Sequence, residues 1–298
     1  MSIELRARSQ DIDGGSRGTA RGAVSVTGTS SARRACALAL RSRGFEVYAS
    51  VRSDTDADAL ESDDAHIHPL RLDLKDDASI DGAVTSLAEA IGERGLYCLV
   101  NNAGIALGGP LEHLPIEYWR DQLAANVIGQ VALTRALLPM IRRGRGRIVF
   151  VGSISGRVAT PLLGPYCASK AAIESVADTL RNELWPWRIP VSLVEPGGVR
   201  TPIWDKARSL VATLEQELPE QALQDYAGAI ENMRQGIESQ ERSAVSPEKV
   251  AAVVERVVLT PRPRARCVVG LDAHVTGLLA RYLPSRPRDY LIRNVLGP

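Results

Sequence analysis

A chain of 298 residues, 45% of them apolar, can bury one large core, and a formal net charge of +1 gives no electrostatic reason to bind nucleic acid. The four cysteines (Cys36, Cys98, Cys167 and Cys267) and the four histidines are scattered without metal-ligand spacing, so no metal centre is expected. No uninterrupted apolar run of about 18 residues occurs, and no membrane-spanning helix is expected.

Residues 1–22 are polar and rich in Gly, Arg and Ser, without a signal-peptide core. They are expected to form a disordered tail on a cytoplasmic protein. From residue 23 to 298 the pattern fits a single domain. Short β-branched runs near 23–27, 46–51, 66–72, 97–101, 147–151, 191–194 and 267–269 alternate with helical patterns, which predicts βαβ units and a parallel sheet. Gly28, Asn102, Ser153 and Gly197 each follow a strand, and loops at the carboxyl ends of such strands form a binding crevice. A long helical pattern from about 115 to 140 carries Asn126. Residues 202–240 carry Leu210, Leu214 and Leu218 at helical spacing and are expected to act as a lid over the crevice. The final stretch, 272–298, is apolar with interspersed arginines. It suits closure of the pocket, an oligomer contact or a peripheral membrane contact.

The chemistry concentrates in Tyr166-Cys167-Ala168-Ser169-Lys170. Four residues of helix place a phenol and an ammonium on one face. An adjacent cation favours phenolate and lowers a phenol's pKa, which would let Tyr166 act as an acid/base group. With 7 Tyr and few lysines in the chain, chance yields roughly 0.1 such pairs. Thirteen residues earlier, Ser153 closes the run Arg147-Ile148-Val149-Phe150-Val151, where its hydroxyl can hold a substrate oxygen. The neighbouring Gly152-Ser153-Ile154-Ser155-Gly156 is not a hydrolase elbow, because Ile154 stands where the nucleophile belongs.

Asn126, Ser153, Tyr166 and Lys170, in that order and spacing, together with Thr27-Gly28, Asp73-Leu74, Asn101-Asn102-Ala103-Gly104 and Pro196-Gly197-Gly198-Val199-Arg200-Thr201, resemble the short-chain dehydrogenase/reductase family. The likeness runs from about 23 to 270. It implies a Rossmann-type, doubly wound parallel sheet of about seven strands with helices on both faces, and hydride transfer between a nicotinamide cofactor and an alcohol or ketone. It also implies a homodimer or homotetramer. By the same resemblance, Tyr166 exchanges the proton, Ser153 holds the substrate oxygen, Lys170 lowers the tyrosine pKa and binds the nicotinamide ribose, and Asn126 holds a relay water. Asp73 and Leu74 would contact adenine, Asn102, Ala103 and Gly104 would run beside the adenosine ribose, and Pro196, Gly197, Val199 and Thr201 would lie against the nicotinamide. The 202–240 insertion resembles that of the retinol and hydroxysteroid branch, which implies a bulky apolar substrate.

The first loop departs from the family pattern. Thr27-Gly28-Thr29-Ser30-Ser31-Ala32-Arg33-Arg34 keeps only the first of the expected glycines and is one residue short. Two outcomes compete. In one, Ser30 or Ser31 caps the helix and Arg33 or Arg34 turns to the phosphates. In the other, the side chains weaken the cofactor site and leave a non-catalytic binding or regulatory protein. At the end of the second strand, Val51 stands where an acid would select NAD and Arg52 follows it, so NADP is expected, with NAD as the alternative.

Overall fold

The computed structural model describes residues 21–28 and 31–296, so the expected tail at 1–22 lies outside the described residues except for Arg21 and Gly22. Among the described residues are strands β1 (Ala23–Val26), β2 (Glu46–Val51), β3 (Ile67–Arg71), β4 (Leu96–Asn101), β5 (Arg147–Val151), β6 (Val191–Pro196) and β7 (Arg266–Val269). They form one parallel sheet in the order β3-β2-β1-β4-β5-β6-β7. Helices α1 (Ser31–Ser42), α2 (Asp54–Asp63), α3 (Asp77–Ile91), α4 (Ile116–Leu123), α5 (Gly129–Arg143) and α6 (Gly164–Glu183) connect the strands up to β6. The helices α7 (Ile203–Glu217), α8 (Glu220–Asp225), α9 (Ala227–Ser243) and α10 (Pro247–Leu259) separate β6 from β7. Two more, α11 (Leu271–Tyr282) and α12 (Ser285–Leu296), follow β7.

Both faces of the sheet are covered, which is why its strands read as nearly unbroken apolar runs. The two-residue period of a strand sends Ile148 and Phe150 to the side of Leu87, Leu133 and Ile173 on α3, α5 and α6. Val149 and Val151 go to the side of Leu40 and Val254 on α1 and α10. The strand order reverses beside β1, so the carboxyl ends of β1 and β4 open the crevice that doubly wound sheets use for ligands.

Two elements differ from the sequence expectation. Strand β6 continues past Val194 through Glu195 and Pro196, because the Glu195 carboxylate is paired inside the fold. The helix expected over 115–140 is interrupted by one π turn, Ala124–Ile128. Just after it, a Cβ on Gly129 would lie 2.0 Å from the Leu74 carbonyl oxygen, so the chain passes the loop after β3 only as glycine. The segment 116–143 is apolar and long enough to cross a membrane by length and composition. Half of its most apolar stretch is buried against the rest of the protein, as in a core helix.

Candidate active site

Ser153 follows β5 in extended conformation, and its Oγ accepts a hydrogen bond from the Ser155 amide at 3.2 Å. Its hydroxyl also lies beside the Tyr166 phenol. One turn along α6, the buried Lys170 ammonium lies 5.8 Å from the Tyr166 ring centroid and donates to the Val151 carbonyl at 3.1 Å. The three side chains therefore converge at the end of β5.

The electrostatics depart from the simple expectation. Burial raises the Tyr166 pKa above its ordinary value, and the Ser153 hydrogen bond offsets this in part. Burial also lowers the Lys170 pKa from 10.5 to about 8. The ammonium is committed to a backbone carbonyl, and low local polarity penalises both charged forms. At neutral pH the proton thus stays on the phenol oxygen.

Asn126 sits in the π turn, fully buried. Its Oδ1 accepts from the Ile105 amide (2.8 Å), and its Nδ2 donates to the Ile105 carbonyl (2.9 Å) and to Ser169 Oγ (3.0 Å). Those partners lie far along the chain rather than within its own helix. A Cβ on Gly104 would be 3.4 Å from Asn126 Oδ1 and 3.6 Å from Lys170 Nζ, so these groups share one corner of the crevice. Two further side chains not anticipated from the sequence hold the same loop. Gln122 Nε2 donates to the Ile105 carbonyl and its Oε1 accepts from Leu107 N, each at 2.7 Å, while Gln130 Nε2 donates to the Ala103 carbonyl at 2.6 Å. The signal was present: Gln122, Asn126 and Gln130 recur at intervals of four, an amide stripe on one helix face.

The β1 loop is tied to the β4 loop through Thr27. Its Oγ1 accepts from the Asn102 and Ala103 amides (3.0 and 3.1 Å), and Asn102 Nδ2 donates to its carbonyl at 3.1 Å. Gly28 has φ +112°, and a Cβ there would stand 2.8 Å from Asn102 Nδ2, so glycine is required. Ser30 lies outside the described residues. Ser31 opens α1, and its buried Oγ has no hydrogen-bond partner among the described residues.

The expected role of the arginines needs correction. With the turn one residue short, Arg33 falls on the inner face of α1 with Ala37 and Leu40, and its Nη1 donates to the Ser50 carbonyl at 2.5 Å. Burial lowers its pKa, and its Nε lacks a partner among the described residues. Arg34 makes a bidentate pair with Asp63 on α2. Both guanidiniums are thus engaged by the protein rather than turned to the loop.

Arg52 is exposed just beyond β2. Asp73 is exposed, and its carboxylate accepts from the Lys75 amide at 2.9 Å. The neighbouring Leu74 is buried beneath Gly129. After β6, the Gly197 amide donates to the Val269 carbonyl (3.0 Å), and the Gly198 amide donates to Asp272 Oδ2 (3.0 Å). The Val199 carbonyl accepts from Trp204 Nε1 at 2.8 Å, and Thr201 Oγ1 accepts from the Ile203 amide at 3.4 Å.

These features fit a dinucleotide: a glycine cradle at Gly28, a Ser31 hydroxyl at a helix N-terminus with no partner among the described residues, and the strand ends that carry Ser153, Asn102 and Gly197. The short chain dehydrogenase family profile matches residues 23–211. The NADPH-dependent 3-dehydrocapnine reductase of Ornithobacterium rhinotracheale is 34% identical over 89% of this chain and 93% of that protein. Retinol dehydrogenase 5 of Mus musculus is 33% identical over 92% of this chain and 88% of that protein. The crystal structure of a short-chain dehydrogenase from Streptomyces avermitilis superposes with a TM-score of 0.73 at 26% identity, covering 92% of this chain and 96% of that one. The chain belongs to the short-chain dehydrogenase family.

Proposed function

We propose that the protein is an NADP-dependent oxidoreductase that interconverts a bulky apolar alcohol and its ketone, with Tyr166 as acid/base group. The observation that carries this is the convergence of Ser153, Tyr166 and Lys170 at the end of β5. A nicotinamide dinucleotide supplies the hydride in such chemistry. Ser153 holds the substrate oxygen, and Tyr166 transfers its phenolic proton to that oxygen in the reducing direction. Lys170 stabilises the phenolate left behind, and Asn126, Gln122 and Gln130 fix the loop 103–107 beside them. Gly28, Ser31, Asn102, Gly104 and Gly197 would border the cofactor. The NADPH-dependent relative supports the cofactor, and the retinol dehydrogenase supports the apolar substrate class. No finding supports the non-catalytic alternative. Incubation with NADPH and a panel of apolar ketones, followed by loss of absorbance from the reduced cofactor, tests the assignment; no turnover across the panel would refute it.

Helices α7 to α9 form the lid in this proposal. Their inward stripe is Trp204, Ala207, Val211 and Leu218, packed on Leu162, Ile230 and Ile237; Leu214 is buried beside Gly109 and Leu114, and Leu210 is half-buried. A cavity of about 160 Å³ lies between this stripe and the loop before α4, lined by His113, Leu114, Tyr118, Leu214 and Glu217. The protein is proposed to act as a cytoplasmic homo-oligomer.

Arg52 is proposed to select NADP by pairing with its 2′-phosphate. Arg52→Ala should weaken NADPH binding about tenfold while leaving NADH binding nearly unchanged. Calorimetric titration of both cofactors checks this, and equal losses would reject the role.

The lowered Lys170 pKa gives a pH signature. As pH rises through about 8 the native ammonium loses its proton, so kcat/KM should fall on the alkaline side. Between about 8 and 10.5 an unfolded lysine still holds a proton that the native one has released, so this group makes stability rise with pH across that window. Burial raises the Cys36 and Cys98 thiols to about 12, which makes stability fall as pH rises above about 9, so the Lys170 contribution is read as a difference: in thermal melts from pH 7 to 10 the wild type should gain stability relative to Lys170→Met, and a constant difference would contradict it.

A further inference from the structure

We propose that the outer face of α11 docks on an anionic lipid surface. One side of this helix is inside the protein. Ala273 is buried, and a Cβ on Gly277 would stand 3.4 Å from Ile154 Cδ1, one residue beyond Ser153. The other side carries Leu271 (81% exposed), Val275 (50%), Leu278 (58%), Leu279 and Tyr282 (69%). Spacings of four, seven, eight and eleven residues put them on one stripe.

A contiguous apolar patch on a surface helix often marks an interaction site. Charge points to a lipid partner. The only carboxylate on α11, Asp272, is exposed but accepts from the Gly198 amide at 3.0 Å on the side of the β6 loop, off the stripe. Arg281 lies 5.4 Å from the Tyr282 ring centroid at the end of the stripe, and Arg286 is exposed at the start of α12. Leucines flanked by an amphipathic Tyr and Arg form the pattern of a helix lying in the headgroup boundary. Because the inner side rests beside Ser153, such docking would bring the crevice against the phase in which apolar alcohols dissolve. The proposal goes beyond the redox function and is tested without it.

Full-length protein is sedimented with vesicles of phosphatidylcholine alone or of phosphatidylcholine mixed with phosphatidylglycerol. Binding is expected to the mixed vesicles. It should fall about tenfold or more in Leu278→Glu/Leu279→Glu and several-fold in Arg281→Glu, with melting temperatures unchanged because these side chains are exposed. Leu271→Glu/Val275→Glu repeats the test should the first double variant fail to fold. Recovery of the wild type in the supernatant with both vesicle types overturns the proposal, as does undiminished binding of the double variants. Light scattering that shows a wild-type dimer dissociated by the same substitutions would overturn it too, assigning the face to a second copy of the chain.

Discussion

Tyr166→Phe should lower kcat about a hundred- to ten-thousand-fold while leaving NADPH affinity within about twofold. The substitution removes one oxygen and keeps the ring, so the contact with Lys170 (5.8 Å to the ring centroid) and the packing of α6 stay in place. What is lost is the group that carries a proton beside Ser153. The serine cannot replace it, because an aliphatic hydroxyl has no accessible deprotonated form at neutral pH. Lys170 is held on the Val151 carbonyl at 3.1 Å. Steady-state kinetics with calorimetric cofactor binding separates the two effects. Turnover within about tenfold of wild type would remove Tyr166 from the acid/base role.

Glu195→Ala should destabilise the fold by about 3–5 kcal/mol. Glu195 is fully buried on β6, where its two oxygens accept from Arg157 Nε (2.7 Å) and Nη2 (2.5 Å). Arg266 adds a contact at 3.3 Å and is itself paired with Glu174 (2.6 Å) and Asp178 (2.7 Å) on α6. Burial pushes the Glu195 carboxyl pKa up, and the Arg157 pairing opposes that shift. Truncation would leave the Arg157 guanidinium without its carboxylate partner, while Arg266 keeps Glu174 and Asp178. It would also release the turn that runs from Ser153 to Arg157. Equilibrium denaturation in urea measures the loss, and a change under about 1 kcal/mol would contradict it. Because removing both partners of a buried pair costs less than removing one, Arg157→Met/Glu195→Leu should recover part of the stability.

The strands and their parallel order were legible because buried strands in this architecture are short β-branched runs, and the runs ending at Val51 and Val151 are of that kind. Tyr166 and Lys170 were legible because four residues in a helix fix their relation whatever surrounds them. Other features depend on tertiary partners. The end of β6 was missed because Glu195 and Pro196 argue against a strand until Arg157 and Arg266 supply the countercharge. The π turn was missed because what surrounds it is tertiary: Gly129 just after it passes close over Leu74, more than fifty residues away in sequence. Arg33 was assigned to the loop because shortening the turn by one residue rotates every later α1 position, and only the packed helix shows which face is inward. The lid stripe was displaced in the same way, since Leu210 and Val211 are equally apolar in sequence and only Val211 packs on the Leu162 cluster.

The most direct test follows the hydride itself. NADPH carrying deuterium at the transferable C4 position is incubated with the protein and a bulky apolar ketone, and the alcohol is analysed by mass spectrometry. One deuterium on the carbinol carbon, lost with Tyr166→Phe, is the expected result. Alcohol formed without deuterium, or no alcohol from any ketone in the presence of bound NADPH, would contradict a hydride-transfer site at the end of β5.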